Sequence, residues 1–398
     1  MKKCEVLVVG AGPVGTTCAS RLAAMGLDVM IIEAEATSTH DLRATTIHAS
    51  TLEMLDEIDA AQPLIDIGLK APVYQMRDRR TGEKLLFDLG ELADFTRFPF
   101  RLQCEQYNMA RLLSERLDAL PNVDLRFNCR FISAHETGEG VIATLEQGGE
   151  TIEVEARFVV GADGSRSAVR KQIGTGFDGF TYEEKFVSMS TTFPINEVIT
   201  DLSYVNYISD PEEWLVLLKV PSVWRVLVPA DGNLSDEDLI SDANRDAVFR
   251  RIVGHGNVET THRTIYRVHQ RVAQEFVKGR MIIIGDAAHL NNPLGGFGMN
   301  SGIHDAFNLF EKLEPVLKGK AAADANLSLF DRQRREVTHT FTQTQTKANM
   351  SMINGAKEDG HEERRRNLQA IRDDDDKRRA YMLRQSMYQS LKQASEIV

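Results

Sequence analysis

The chain has 398 residues, 42% of them hydrophobic, and a formal net charge of −11. That length holds two domains or one large core with an inserted lobe. The acidic balance argues against nucleic acid or an anionic membrane as the main partner. No stretch approaches the roughly eighteen apolar residues of a membrane span. Cys4, Cys18, Cys104 and Cys129 form no C-x-x-C pair, so neither a redox disulfide nor a metal site is expected. Met1-Lys2-Lys3 leads into an apolar run, but Gly10 breaks that run too early for a signal peptide, and a cytoplasmic location is expected.

Cys4 to Val9 reads as a strand buried on both faces. Gly15 to Met25 has helical spacing, with Cys18, Leu22 and Met25 on one side and Gly26 as its stop. Val29 to Ile32 is the next strand, ending at Glu33 and completing a βαβ unit. Ser50 to Ile58 and Gln106 to Leu120 read as amphipathic helices, the second stopped by Pro121. Val73 to Leu89 reads as a β-ribbon turned at Arg79-Arg80-Thr81-Gly82, and Val141 to Val160 as a hairpin around Gly148-Gly149. From Phe186 to Val228 the alternation, with Phe193, Tyr204, Tyr207, Trp214 and Trp224, predicts an antiparallel sheet. Ser235 opens a helix with a signature close to a capping box. Met281 to Ile284 is a buried strand, and helix is expected from the following loop to the end. The charged final segment, with four consecutive aspartates inside Arg372 to Lys377, reads as a solvated helical surface or a frayed tail.

Gly10-Ala-Gly12-Pro13-Val14-Gly15 stands between the first strand and its helix, where a dinucleotide pyrophosphate needs it. Gly10 permits the turn, Gly12 lets phosphate approach the backbone, and Gly15 packs helix on strand. The helix start adds N–H donors and a positive dipole end. Glu33, followed by Ala34, is placed to accept from ribose hydroxyls. Far downstream, Gly285-Asp286 leads through Pro293, Gly295, Gly296, Gly298, Met299 and Asn300 into a helix, setting a carboxylate and a row of backbone N–H groups beside one ligand. Between them stands Gly161-Ala-Asp163-Gly164-Ser-Arg166, whose Asp163 is also a candidate helix cap.

These motifs, ordered over roughly the first 350 residues, resemble the fingerprints of the class A flavoprotein aromatic monooxygenases, the para-hydroxybenzoate hydroxylase family. The segments Arg43-Ala-Thr-Thr-Ile-His48 and Asn291 to Gly298 look nearest to its hydroxyphenylpropionate and phenol hydroxylase type. The resemblance implies an α/β fold with a Rossmann-like FAD-binding domain (1–72, 101–180 and 266–325), an inserted β-sheet substrate domain (73–100 and 181–265) and a C-terminal helical region (326–398). It implies tightly bound FAD, NAD(P)H as a visiting co-substrate, O2, and hydroxylation of a small phenolic or hydroxy-heteroaromatic substrate through a flavin C4a-hydroperoxide. Alternatives on the same scaffold are a flavin-dependent reductase or saturase, and a non-catalytic escort protein like the prenyl-GTPase dissociation inhibitors. The thioredoxin-like extension of longer relatives does not fit this length, and a homodimer is allowed but not specified.

Carried over by position, Asp286 serves the flavin's sugar-alcohol chain or pyrophosphate, and Gly298, Met299 and Asn300 face the pyrimidine edge. Arg43 and Gln103 stand where the family's flavin-contacting Arg and Gln stand, and Pro293 with Gly296 lines the ring. His48 is the favoured histidine for the pocket, whereas His289 reads as structural and His269 as a solvated loop residue. Tyr204, Tyr207, Trp214, Trp224 and Arg225 belong to the sheet that roofs the substrate. Tyr204 and Tyr207 join His48 and Pro293 as candidates for contact with the reacting ring.

Overall fold

A computed structural model describes residues 1–38, 44–210, 214–353 and 358–398, the side chains of 352–353 and 358–361 excepted. Strand β1 (Lys2–Val9) is central in the first sheet, and its Val6 to Val9 are buried on both faces. Helix α1 (Pro13–Ala23) begins two residues before the expected Gly15, because Pro13 supplies a preset helical φ where no N–H partner is lost. β2 (Val29–Ile32) follows. The sheet order runs Val277–Lys278, Met281–Ile283, Glu150–Gly161, β1, β2, Val123–Arg126, with the hairpin strands Val141–Gln147 and Cys129–Glu136 alongside.

Register decides where a ligand sits. Val9 pairs with both Gly161 and Ile32, and Gly161 pairs with Ile283, all in parallel. Gly10, Glu33, Ala162 and Ile284 therefore leave the sheet along one carboxyl edge, the place where open parallel sheets bind ligands.

A second sheet of eight strands runs His289–Leu290, His262–Ala273, Phe177–Thr191, Trp224–Pro229, Leu215–Lys219, Val205–Ser209, Val73–Asp78, Lys84–Asp88. It differs from the expected antiparallel sheet in two ways. Val205–Ser209 pairs in parallel with Val73–Asp78, drawing the early ribbon into the same sheet. His262–Ala273 is a long strand against Phe177–Thr191, so His269 lies on a strand, 2.9 Å from the Thr181 hydroxyl, and not in a loop.

The charged C-terminal segment is also not frayed. Asp374 caps the helix Asp375–Gln385 by accepting the Lys377 N–H, and that helix buries Tyr381 and Met382 against Tyr74 and Phe87 of the second sheet. Leu368 and Ile371, three apart on the helix Glu358–Arg372, pack against the same cluster, so a few apolar residues dock this charged stretch. Among the described residues no helix is long and apolar enough to cross a membrane.

Candidate active site

The opening glycines are set by contact. Gly10 has φ +103°, and a Cβ there would meet Ala162 O at 2.5 Å. A Cβ on Gly15 would fall 1.9 Å from Gly10 O, whereas one on Gly12 would meet nothing within 4 Å. Gly10 and Gly15 thus seal the turn to strand and helix, and Gly12 opens onto space. Glu33 braces the same turn, Oε2 accepting the Ala11 N–H at 2.9 Å and Oε1 the Glu35 N–H at 3.1 Å. Asp163 Oδ2 accepts the N–H groups of Ala168 (2.6 Å) and Val169 (3.2 Å), so it satisfies the first turn of the helix Ala168–Ile173, whose N-cap is Ser167, while standing on the cavity wall.

The Gly285-Asp286 turn rests directly on this motif. A Cβ on Gly285 would lie 3.2 Å from Val14, and one on Gly302 would lie 2.6 Å from Val14 and 2.9 Å from the Gly285 Cα. The opening helix, the acidic turn and the helix Phe297–Leu317 are in van der Waals contact. A buried strut fixes the turn from behind. Asp305 Oδ2 accepts the Gly285 N–H at 3.0 Å and lies 2.7 Å from His289 Nε2, while Oδ1 accepts from Arg334 Nε at 2.6 Å. Burial pushes the Asp305 carboxyl up, but His289 and Arg334 outweigh it and hold it down at about 2. His289 is buried behind the turn, with Nε2 against Asp305.

A cavity of about 840 Å³ runs along this edge, near the upper end of the ~300–1,000 Å³ usual for small-molecule sites. Gly10, Gly12, Pro13, Val14, Glu33 and Ala34 line one end. Asp163, Asp286, Pro293, Gly296, Gly298 and Met299 line the middle, where Gly296 at φ +73° caps the Phe297–Leu317 helix. The far end reaches the second sheet at Ser188, Tyr207, Val216, Arg225 and Tyr266.

Not every expected residue reaches this wall. Asn300 is fully buried behind it, its Nδ2 donating to Thr46 O (2.8 Å) and Gly296 O (2.6 Å) and its Oδ1 accepting the His48 N–H (3.0 Å). Gln103 lies beneath Thr46, whose hydroxyl donates to its Oε1 at 3.1 Å. His48 stacks on Phe297 with its Nε2 2.8 Å from Gly295 O, clamping the glycine loop rather than facing the cavity. Burial, then the charge of Arg101, holds His48 well below its usual range, so it is neutral and Nε2–H donates to that carbonyl. Tyr204 is 42% exposed and lies off the wall. Arg43 lies outside the described residues.

Strand alternation explains which sheet residues face the ligand. Trp224, Val226 and Val228 turn into a core with Leu215 and Leu217. Arg225 and Leu227, with Val216 and Leu218, turn to the cavity. Ser188 and Tyr266 were not singled out from sequence. Tyr266 lay in a stretch with no recognised strand, and a lone serine carries no signal. Arg225 Nη2 donates to the Tyr266 hydroxyl at 3.0 Å.

The long cavity, its glycine opening and its acidic groups fit FAD laid end to end, and comparison with known proteins agrees. Residues 3–345 match the FAD binding domain family. The para-nitrophenol 4-monooxygenase of Pseudomonas sp. (strain WBC-3) is 32% identical over 355 residues, 87% of each chain. The 6-hydroxy-3-succinoylpyridine 3-monooxygenase of Pseudomonas putida is 32% identical over 337 residues, 84% of each chain. The crystal structure of a p-nitrophenol 4-monooxygenase from Pseudomonas putida superposes with a TM-score of 0.91 at 28% identity, covering 98% of this chain and 99% of that one. The chain belongs to the class A FAD-binding aromatic monooxygenases, as a relative of the phenol and hydroxyphenylpropionate hydroxylases.

Proposed function

We propose that the chain hydroxylates a small single-ring phenol or hydroxypyridine carrying a polar or anionic substituent, drawing electrons from NADH or NADPH and one oxygen atom from O2. One observation carries this reading: a single cavity joins the dinucleotide motif, the Asp286 turn and a sheet face that pairs apolar walls with Arg225, Tyr207 and Tyr266. The full-length similarity to a nitrophenol and a hydroxypyridine monooxygenase supports the substrate size.

Bound FAD supplies hydride acceptance and the activation of O2. The protein's own part is binding, orientation and exclusion of water. The α1 N-terminus and Gly12 would hold the pyrophosphate, Glu33 the adenosine ribose, and Asp286 the sugar-alcohol chain. The start of the Phe297–Leu317 helix would offer N–H groups and a positive dipole end to the redox ring, which takes up negative charge on reduction. Val216, Leu218 and Leu227 pack the substrate ring, and Arg225 takes the substituent's charge. His48 and Asn300 are proposed to act only by positioning Gly295, Gly296 and the helix start. The domain division expected from sequence belongs to this proposal, with His262–Ala273 placed in the substrate sheet, as does a cytoplasmic location.

The test is NADH and NADPH oxidation by the FAD-loaded protein across phenols, nitrophenols, phenolic acids and hydroxypyridines under isotopically labelled O2. An aromatic that accelerates oxidation and yields a product bearing one labelled oxygen supports the reading. Stimulated oxidation without labelled product from any member of the panel contradicts it.

A further inference from the structure

A second cavity, of about 50 Å³, lies between the second sheet and the C-terminal helices. Its wall includes Arg101 and Tyr207, with Arg364 and Arg365 from helix Glu358–Arg372 and Gln385 from helix Asp375–Gln385. Arg101 is 1% exposed and forms no ion pair with a described carboxylate. Its guanidinium lies 4.1 Å over the Tyr74 ring, Nη1 donates to the Tyr207 hydroxyl at 3.4 Å, and Nε has no acceptor. Gln385 is 3% exposed, and its Nε2 has no acceptor either. Arg364 Nε and Nη2 and Arg365 Nε share that condition.

Of the two carboxylates on this wall, Asp78 serves backbone groups, whereas Glu83 pairs with Arg365 and keeps an Oε2 that accepts no hydrogen bond. Asp78 accepts the N–H groups of Arg80 (2.9 Å) and Thr81 (2.8 Å). Glu83 accepts from Gln369 and stands 3.7 Å from Arg365. A guanidinium stays protonated when buried, and burying it without a counter-ion costs far more than a cation–π contact returns. Arg101, Gln385 and Arg364 present N–H donors that lack acceptors, and no ion pair with a described carboxylate offsets Arg101 or Arg364, whereas Glu83 offsets Arg365. The missing partner is a negatively charged acceptor, and the volume admits roughly three water-sized occupants, too few for a ring or a nucleotide.

We propose that this compartment binds a small monovalent anion, of halide to nitrate size, held by Arg101, Gln385 and Arg364. Tyr207 stands on the walls of both cavities, and the donor to its hydroxyl is Arg101. An anion at Arg101 draws off part of the charge that polarises the Tyr207 hydroxyl, and so weakens binding of a phenolate in the main cavity. This coupling, unlike the anion binding itself, rests on the main cavity holding a phenolic substrate.

Bromide is the probe. Bromide-soaked crystals of the FAD-loaded protein should show an anomalous peak between Arg101 and Arg364. Calorimetric bromide titration against gluconate at constant ionic strength should show saturable binding. That binding should weaken at least fivefold in Arg364→Gln and in Gln385→Leu, and vanish in Arg101→Met. The first two variants carry the test if Arg101→Met does not fold. No peak at this position, or unchanged bromide affinity in Arg364→Gln, overturns the site. With 4-nitrophenol as ligand, bound bromide should lower affinity by about fivefold, the lower end of usual coupling between sites. Unchanged 4-nitrophenol affinity overturns the coupling and leaves the anion site standing, and 4-nitrophenol that fails to bind at all counts against the substrate reading alone.

Discussion

Single residues divide into those that close the turn and those that open it. Gly12→Ala places a methyl in open space, so the apoprotein should melt unchanged while FAD affinity falls about tenfold, the effect of an added methyl meeting a ligand. Gly15→Ala drives its methyl into Gly10 O and should lower stability by about 3 kcal/mol. Equal effects of the two on apoprotein melting would refute this division of labour. Arg225→Met should lower kcat/KM roughly 10- to 100-fold, mostly through KM, for anionic but not neutral phenols, since a hydrogen bond to a charged group is lost. An equal loss for both classes in steady-state kinetics would remove Arg225 from the substituent site. His304 is buried beside Thr51, and burial, then the charge of Arg334, lowers it from 6.5 to about 3. Folding therefore favours its neutral form: the stability is whole above about pH 6.5 and is lost as pH falls toward 3, by up to ~1.4 kcal/mol per pH unit. Denaturant unfolding of His304→Gln between pH 6 and 4 should be flatter than wild type by that slope, and parallel curves would exclude the effect. Residues with a backbone duty were legible in the sequence, among them Gly10, Gly15 and Asp163, whereas Glu33 reads there as a ribose acceptor and its hold on the Ala11 N–H shows only in the fold. Asn300, Gln103 and His48 were legible as important, but one dimension does not say whether a side chain faces a cavity or braces its wall.

Elements with simple periodicity read well. β2 has the expected bounds, and the ribbon at Val73–Asp78 and the hairpin at Val141–Gln147 lie where the alternation places them. The strand His262–Ala273 did not read well, because its charged and polar residues give no apolar alternation. Its neighbours in the sheet, not its own composition, make it a strand. The buried Asp305 strut is likewise tertiary: its acidic, imidazole and guanidinium members come from separate elements and meet only when the acidic turn docks. Removing the carboxylate leaves Arg334 unpaired in the core. Asp305→Ala should cost about 3–5 kcal/mol in denaturant unfolding and weaken FAD binding to whatever apoprotein remains folded. A variant with wild-type stability and wild-type FAD affinity would show that the turn holds itself.

At the scale of the whole molecule, segments far apart in the chain build one cavity because four parallel strands end at the same edge. The second sheet covers the far end, and the C-terminal helices close that sheet from outside through Tyr381 and Met382. The order of motifs made the first arrangement readable. The docking of a charged tail was not readable, since its few apolar residues are spaced among many ions. The decisive measurement is a crystal structure of the protein with FAD bound. One FAD molecule should lie with its pyrophosphate against Gly12, its ribose at Glu33, Asp286 in contact along its length and its ring beside Pro293 and the start of the Phe297–Leu317 helix. A nucleotide held by the opening βαβ unit alone, with Asp286 and the Phe297–Leu317 helix start touching no part of it, would contradict the account.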